Sequence, residues 1–346
     1  MPNKTNISPV LILSTGRCGS TMVSKMLDLH PRVLSLSEFF IPLGSDAFTR
    51  KQPDGNWMWK VFSRQSLPLH AMLKRGDVVS ESLYPFGEEG ARFQPENIPP
   101  ILAVTLPHLT DDFENLYDEL EVEVSSRPRM PLADQYRSLF ESLATRFGND
   151  VWVERSGGSL MLTAKLLHHF PEARVIHVYR DGRDTAMSMS HHHNFKVLIG
   201  AMLKARRMGV DVFRDFEATT ASPVKSWVQN QLFRFVNPDK LAEEPVLADF
   251  GDYWSRSILF GRKMMRDLPV ERLLEVKFED MQQSPEQEVR RLIRFIDPSL
   301  EEESWIKEVA AIPGPARSKF SSLAESEQEA LQKACAPGLK VLGYTS

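Results

Sequence analysis

Ser14-Thr15-Gly16-Arg17-Cys18-Gly19-Ser20-Thr21 places two glycines, one arginine and several hydroxyls between an apolar run, Val10 to Leu13, and a stretch with helical apolar spacing. Backbone N–H groups at a helix start, together with the positive end of the helix dipole, make a site for phosphate-like anions. Gly16 and Gly19 let the backbone approach a ligand closely, Arg17 adds charge, and Ser20 and Thr21 add hydroxyl donors. The Gly-x-x-x-x-Gly-Lys-Ser/Thr spacing of a Walker A loop is absent. Taken alone, the eight residues also fit an ordinary glycine-rich turn with an exposed arginine, so a second anion feature has to decide.

Arg180 supplies it. It follows the strand-like run Arg174 to Tyr179, and Ser188 lies eight residues on, about two turns into the next helix. An arginine fork at a strand end and a hydroxyl from the following helix can converge on one phosphate. Asp181, Arg183 and Asp184 read as local pairs that fix the turn. The two cradles together describe a ligand with two separated anionic ends.

With these two motifs the chain resembles the sulfotransferases that use 3′-phosphoadenosine 5′-phosphosulfate as donor, of the bacterial and carbohydrate type rather than the cytosolic animal type. Thr15, Gly16, Arg17, Cys18, Gly19, Ser20 and Thr21 are similar to that family's 5′-phosphosulfate loop, and Arg180 with Ser188 to its 3′-phosphate motif. Lys277-Phe278-Glu279-Asp280-Met281 is similar to the segment beside the adenine, which implies a contact from Phe278. Arg317-Ser318-Lys319, followed by a capped helix and Gly343-Tyr344, is similar to the C-terminal loop over the 3′-phosphate. Three positions depart from the pattern. Arg17 replaces the lysine of the animal members, Met22 stands where some members place tryptophan, and Phe278 keeps a π face but lacks the usual tyrosine hydroxyl. The resemblance implies a three-layer α/β sandwich around a mostly parallel sheet, of the P-loop-NTPase-like type. It also implies adenosine 3′,5′-bisphosphate as product and no metal.

In-line sulfuryl transfer also needs a base for the acceptor. Glu38, in Leu36-Ser37-Glu38-Phe39-Phe40, looks like the glutamate that serves as base in several carbohydrate and polyketide-type members, and its neighbours are apolar. His191, His192 and His193 are rivals just beyond Ser188, and His192 is kept as a candidate. Adjacent histidines on a helix point in different directions, so a shared metal ion is not expected. Arg155 follows a strand where related enzymes carry a Lys-Thr-Pro segment near the sulfuryl group. His30 reads as structural. Cys18 reads as a small loop residue whose thiol, at a helix start, could be acidic, and Cys335 as packing.

The elements that must position these residues alternate between strand and helix. Val10 to Leu13 leads to a helix from Ser20, and Val151 to Val153 leads to a helical segment over Ser159 to Phe170. Arg174 to Tyr179 leads to Thr185 onward, and Leu273 to Phe278 leads to a helix opened by Ser284 as N-cap and Pro285. Ser322 to Glu325 reads as a capping box that starts a short last helix. Strands alternating with helices predict a mostly parallel sheet covered on both faces. Residues 44 to about 150 and 195 to about 250 break this rhythm and are read as acceptor-side insertions in a single domain over residues 1–346. Trp57, Trp59, Tyr84, Phe86, Trp227 and Phe233 in them suit an amphipathic small molecule or a sugar.

Composition bounds the alternatives. Of 346 residues, 42% are hydrophobic and 25% charged, enough for a real core, while a net charge of −4 leaves no global field to hold a nucleic acid. Two cysteines make no disulfide framework. The first eight residues are polar, and no apolar run approaches the ~20 residues of a membrane helix, so a cytoplasmic protein with no membrane partner is expected. The expected partner is a small-molecule or carbohydrate acceptor. The alternative is a P-loop-type kinase of a small metabolite, which would use ATP.

Overall fold

Five strands form one parallel sheet: β1 (Val10–Ser14), β2 (Val33–Ser37), β3 (Val151–Arg155), β4 (Arg174–Tyr179) and β5 (Leu273–Lys277), in the order β2-β3-β1-β4-β5. The coordinates are a computed structural model and describe residues 9–64, 82–88, 90–222, 237–314 and 318–344. The helices of seven residues or more among them are α1 (Ser20–Asp28), α2 (Gly55–Ser63), α3 (Phe113–Ser125), α4 (Leu132–Arg146), α5 (Thr163–His169) and α6 (Gly182–Ser190). They continue with α7 (His193–Arg207), α8 (Leu247–Met265), α9 (Pro285–Ile296), α10 (Glu303–Val309) and α11 (Glu325–Val341). The architecture is the expected α/β sandwich.

Strand alternation divides the core. Val10, Ile12, Val153, Ile176 and Val276 face one layer, filled by Val23 and Leu27 of α1 and by Val289 and Leu292 of α9. Leu11, Leu36, Trp152 and Val175 face the other, filled by Phe140 of α4, Trp254 of α8 and Leu331 of α11. Because every strand runs the same way, the residues after Ser14, Ser37, Arg155, Tyr179 and Lys277 emerge at one edge. That edge is where open α/β sheets bind ligands.

Several local readings change. β2 is a strand that its sequence does not announce: alternate serines make it look half-polar, yet Ser35 and Ser37 are buried because Ser24 and Arg155 satisfy them. Among the described residues of 44–150 helices predominate, and α4 covers the sheet as the crossover into β3. Ser284 precedes α9 but makes no side-chain cap. Ser322 does not cap the last helix either, since its hydroxyl donates to Lys319 C=O at 2.6 Å and α11 begins after Ala324. α11 is not short; it runs 17 residues, held by packing against α8.

Candidate active site

The loop between β1 and α1 turns through left-handed backbone at Gly16 (φ 78°), Arg17 (φ 57°) and Gly19 (φ 91°). A side chain at Gly16 or Gly19 would collide, since an added Cβ would stand 2.7 Å from the Phe195 ring or 2.2 Å from the Phe278 ring. α1 starts with no side-chain cap and no acidic residue in its first turn, which leaves its positive end open to an anion. Ser14 braces the loop: its Oγ accepts from Gly16 N–H at 3.3 Å and donates to Ser20 Oγ at 3.1 Å. Thr15 is buried, and its hydroxyl donates to Gly16 C=O at 3.1 Å. Thr21 and Arg17 are exposed. Cys18 points away into the core, where its thiol donates to Val178 C=O at 3.3 Å. Burial pushes that thiol up, so the acidic thiol entertained from the helix start is not found.

The second cradle joins the first. Arg17 Nε donates to Ser188 Oγ on α6 at 3.2 Å. The Phe278 ring lies against Gly19 on one side, and its centroid is 4.9 Å from the Arg180 guanidinium. Asp181 caps α6 by accepting from Arg183 N–H at 2.8 Å and pairs with the Arg183 side chain at 2.6 Å, as local pairing predicts. Asp184 reaches further: it accepts from Ser318 Oγ at 3.1 Å and from Lys319 N–H at 3.0 Å, docking the C-terminal segment on α6. Arg317 lies outside the described residues. Glu279 adds a second tie, accepting from Asp181 N–H at 2.9 Å and from Tyr344 Oη at 2.8 Å.

Glu38, just past β2, also has left-handed backbone (φ 54°); Arg17 and Glu38 are the non-glycine residues with positive φ among those described. Such conformations cost free energy and cluster at functional sites. The Glu38 carboxylate pairs with Arg155 and accepts from Gly157 N–H at 3.0 Å to each oxygen. Arg155 is 4% exposed and also donates to Ser37 Oγ at 2.7 Å, so it serves Glu38 rather than standing open in a cleft. The next residue along, Gly158, has its N–H 3.4 Å from where a Gly16 Cβ would be. Glu38 and the first loop therefore flank the same Gly157-Gly158 turn. Ser156, Gly157, Gly158 and Phe195 also border this arrangement and are not among the candidates read from the sequence, although the paired glycines after a strand are a visible signal.

The three histidines do not share a helix. His191 ends α6 with Nδ1 2.6 Å from Met187 C=O, His192 sits at the junction with its ring edge-on to Phe195 at 5.6 Å, and His193 begins α7. Phe195 links His192 to Gly16. No group of three His, Cys, Asp or Glu side chains among the described residues could hold a metal ion. His30 is structural, bonded to Leu300 C=O at 2.8 Å and edge-on to Trp305. Behind the site, Glu154 is fully buried; desolvation raises its carboxyl to about 7 against the hydrogen bond from Ser156.

Among the described residues no helix is long and apolar enough to cross a membrane. No curated protein matches the chain. Solved structures of similar shape include the sulfotransferase domain from the curacin biosynthetic pathway (14% identity, 99% of each chain, TM-score 0.47). Another is the sulfotransferase domain from the Synechococcus PCC 7002 olefin synthase (17%, 100% and 98%, TM-score 0.44). A third is a retinol dehydratase in complex with androsterone and PAP (11%, 98% and 84%, TM-score 0.37). Residues 9–205 match a sulfotransferase family and residues 161–330 a sulfotransferase domain, spans that hold the loop between β1 and α1, Glu38, Arg180, Ser188 and Phe278. The chain belongs to the sulfotransferase family.

Proposed function

We propose that this protein transfers a sulfuryl group from 3′-phosphoadenosine 5′-phosphosulfate to a hydroxyl, or an amine, of a small-molecule or carbohydrate acceptor. The observation that carries the reading is the bond from Arg17 to Ser188, which brings together two anion cradles 171 residues apart. The residues fit the donor: an uncapped helix start and a glycine backbone suit its 5′ end. Thr15 to Thr21 would hold that end, Arg180, Ser188 and Arg317-Ser318-Lys319 the 3′-phosphate, and Phe278 the adenine. When bound, the donor supplies the sulfuryl group and leaves as adenosine 3′,5′-bisphosphate.

Arg17 and the loop amides stabilise the charge that develops on the leaving phosphate, the role that dominates group transfer of this kind. Glu38 takes the proton from the acceptor hydroxyl, and Arg155 and Gly157 N–H orient its carboxylate. His192 is the second candidate for that proton. The reading assigns no metal, takes residues 1–346 as one domain and expects a cytoplasmic protein.

Calorimetry with adenosine 3′,5′-bisphosphate and with ATP, each with and without Mg²⁺, tests this. The bisphosphate is expected to bind more tightly than ATP and without Mg²⁺. Mg²⁺-dependent ATP binding with no binding of the bisphosphate would overturn the reading in favour of a small-metabolite kinase.

A further inference from the structure

Glu154 stands in β3 between Leu11 of β1 and Leu36 of β2, fully buried. Its side chain shares the sheet face of Trp152, among apolar residues. One oxygen, Oε1, accepts from Ser156 Oγ at 2.6 Å; Oε2 has no hydrogen-bond partner among the described residues. A carboxyl so placed is costly, and a residue like its neighbouring leucines would pack there without that cost. What Glu154 holds accounts for it. Ser156 Oγ accepts from Phe40 N–H at 3.0 Å, two residues past Glu38, while Glu38 N–H donates to Arg155 C=O at 2.7 Å. The left-handed turn at Glu38 is thus clamped on both sides by the end of β3.

We propose that Glu154 is a positioning residue for Glu38: by accepting the hydrogen bond from the Ser156 hydroxyl it turns the Ser156 lone pairs to Phe40 N–H and so fixes the turn that aims the Glu38 carboxylate. The proposal rests on the reading of Glu38 as the base. Protonation of Glu154 on Oε2 leaves Oε1 able to accept, so the clamp works in both charge states. The groups facing Glu154 are Ser156, Phe40 N–H, Glu38 and Arg155.

Three measurements on full-length Glu154→Leu and Glu154→Gln test this: thermal melting, hydrogen exchange at the Phe40 amide, and release of sulfate from labelled 3′-phosphoadenosine 5′-phosphosulfate with water as acceptor. Glu154→Leu removes the acceptor and fills the site with apolar volume. It is expected to melt at or above the wild-type temperature, to exchange the Phe40 amide about tenfold faster, and to release sulfate about tenfold more slowly. Glu154→Gln keeps an acceptor for Ser156 and is expected to melt close to wild type and to stay within about twofold of it in Phe40 exchange and sulfate release. Unchanged Phe40 exchange in Glu154→Leu, or a Glu154→Gln variant as impaired as Glu154→Leu, would overturn the proposal. So would a fall in melting temperature and sulfate release without faster exchange, since that marks a purely structural role. A wild-type protein that neither binds adenosine 3′,5′-bisphosphate nor releases sulfate refutes the functional reading instead, while Phe40 exchange and melting still decide the clamp.

Discussion

Arg17 Nε donates to Ser188 Oγ at 3.2 Å, so the loop between β1 and α1 and a helix from the middle of the chain are joined by a hydrogen bond. If the two share one nucleotide, their loss should differ in kind. Arg17→Ala is expected to lower turnover about 10²-fold, as loss of a donor to developing charge does. Ser188→Ala is expected to weaken adenosine 3′,5′-bisphosphate about tenfold with little change in kcat. Arg180→Ala should weaken it further, because a charged fork is lost rather than a neutral donor. Calorimetry alongside single-turnover rates separates these effects.

Glu38 carries the proton in the proposed mechanism. Glu38→Gln is expected to cut turnover by 10²-fold or more, on the order of a general base's contribution, and to leave nucleotide affinity nearly unchanged. If turnover survives in that variant and falls in His192→Ala, the base is the histidine.

Gly19 combines a φ of 91° with the Phe278 ring at 2.2 Å from any added Cβ. Gly19→Ala is expected to cost about 1–3 kcal/mol in denaturant unfolding and to displace Phe278. A variant as stable as wild type with normal nucleotide binding would show that neither the backbone nor the ring contact matters.

Two buried groups oppose each other in acid. Burial raises Glu154 from 4.5 to about 7, so the native state keeps a proton that the unfolded chain has released. Its stabilisation is complete below about pH 4.5 and lost as pH rises to about 7, a span of about 3 kcal/mol. Burial lowers His169 from 6.5 to about 4, with His168 and Arg137 adding to the effect. Its stabilisation is present above pH 6.5 and lost as pH falls to about 4. Denaturant unfolding between pH 4 and 7 should therefore show stability rising more steeply with pH in Glu154→Gln, and falling more steeply in His169→Phe, than in wild type. Matching slopes in all three proteins would rule out both shifts.

What the sequence determined by itself is local. The apolar run of β1 and the helical spacing after Ser20 marked a strand-to-helix turn, and the same pattern marked β4 with α6, because side-chain period and turn residues are properties of neighbours in the chain. The members of the two candidate anion motifs are legible for that reason. Tertiary structure decided how they serve one another. β2 is a strand because it pairs with β3, which lies more than a hundred residues on, and its buried serines find partners there. Glu38 holds a left-handed turn because Arg155, Ser156 and Gly157 bind it from that same strand end. Ser322 looked like a cap, yet α11 starts later, and its length is set by packing on α8. Hydrogen bonds and packing between distant segments leave no periodic trace in either segment. The residue types at the site could thus be read from the chain, while their partners and backbone geometry followed only from the fold.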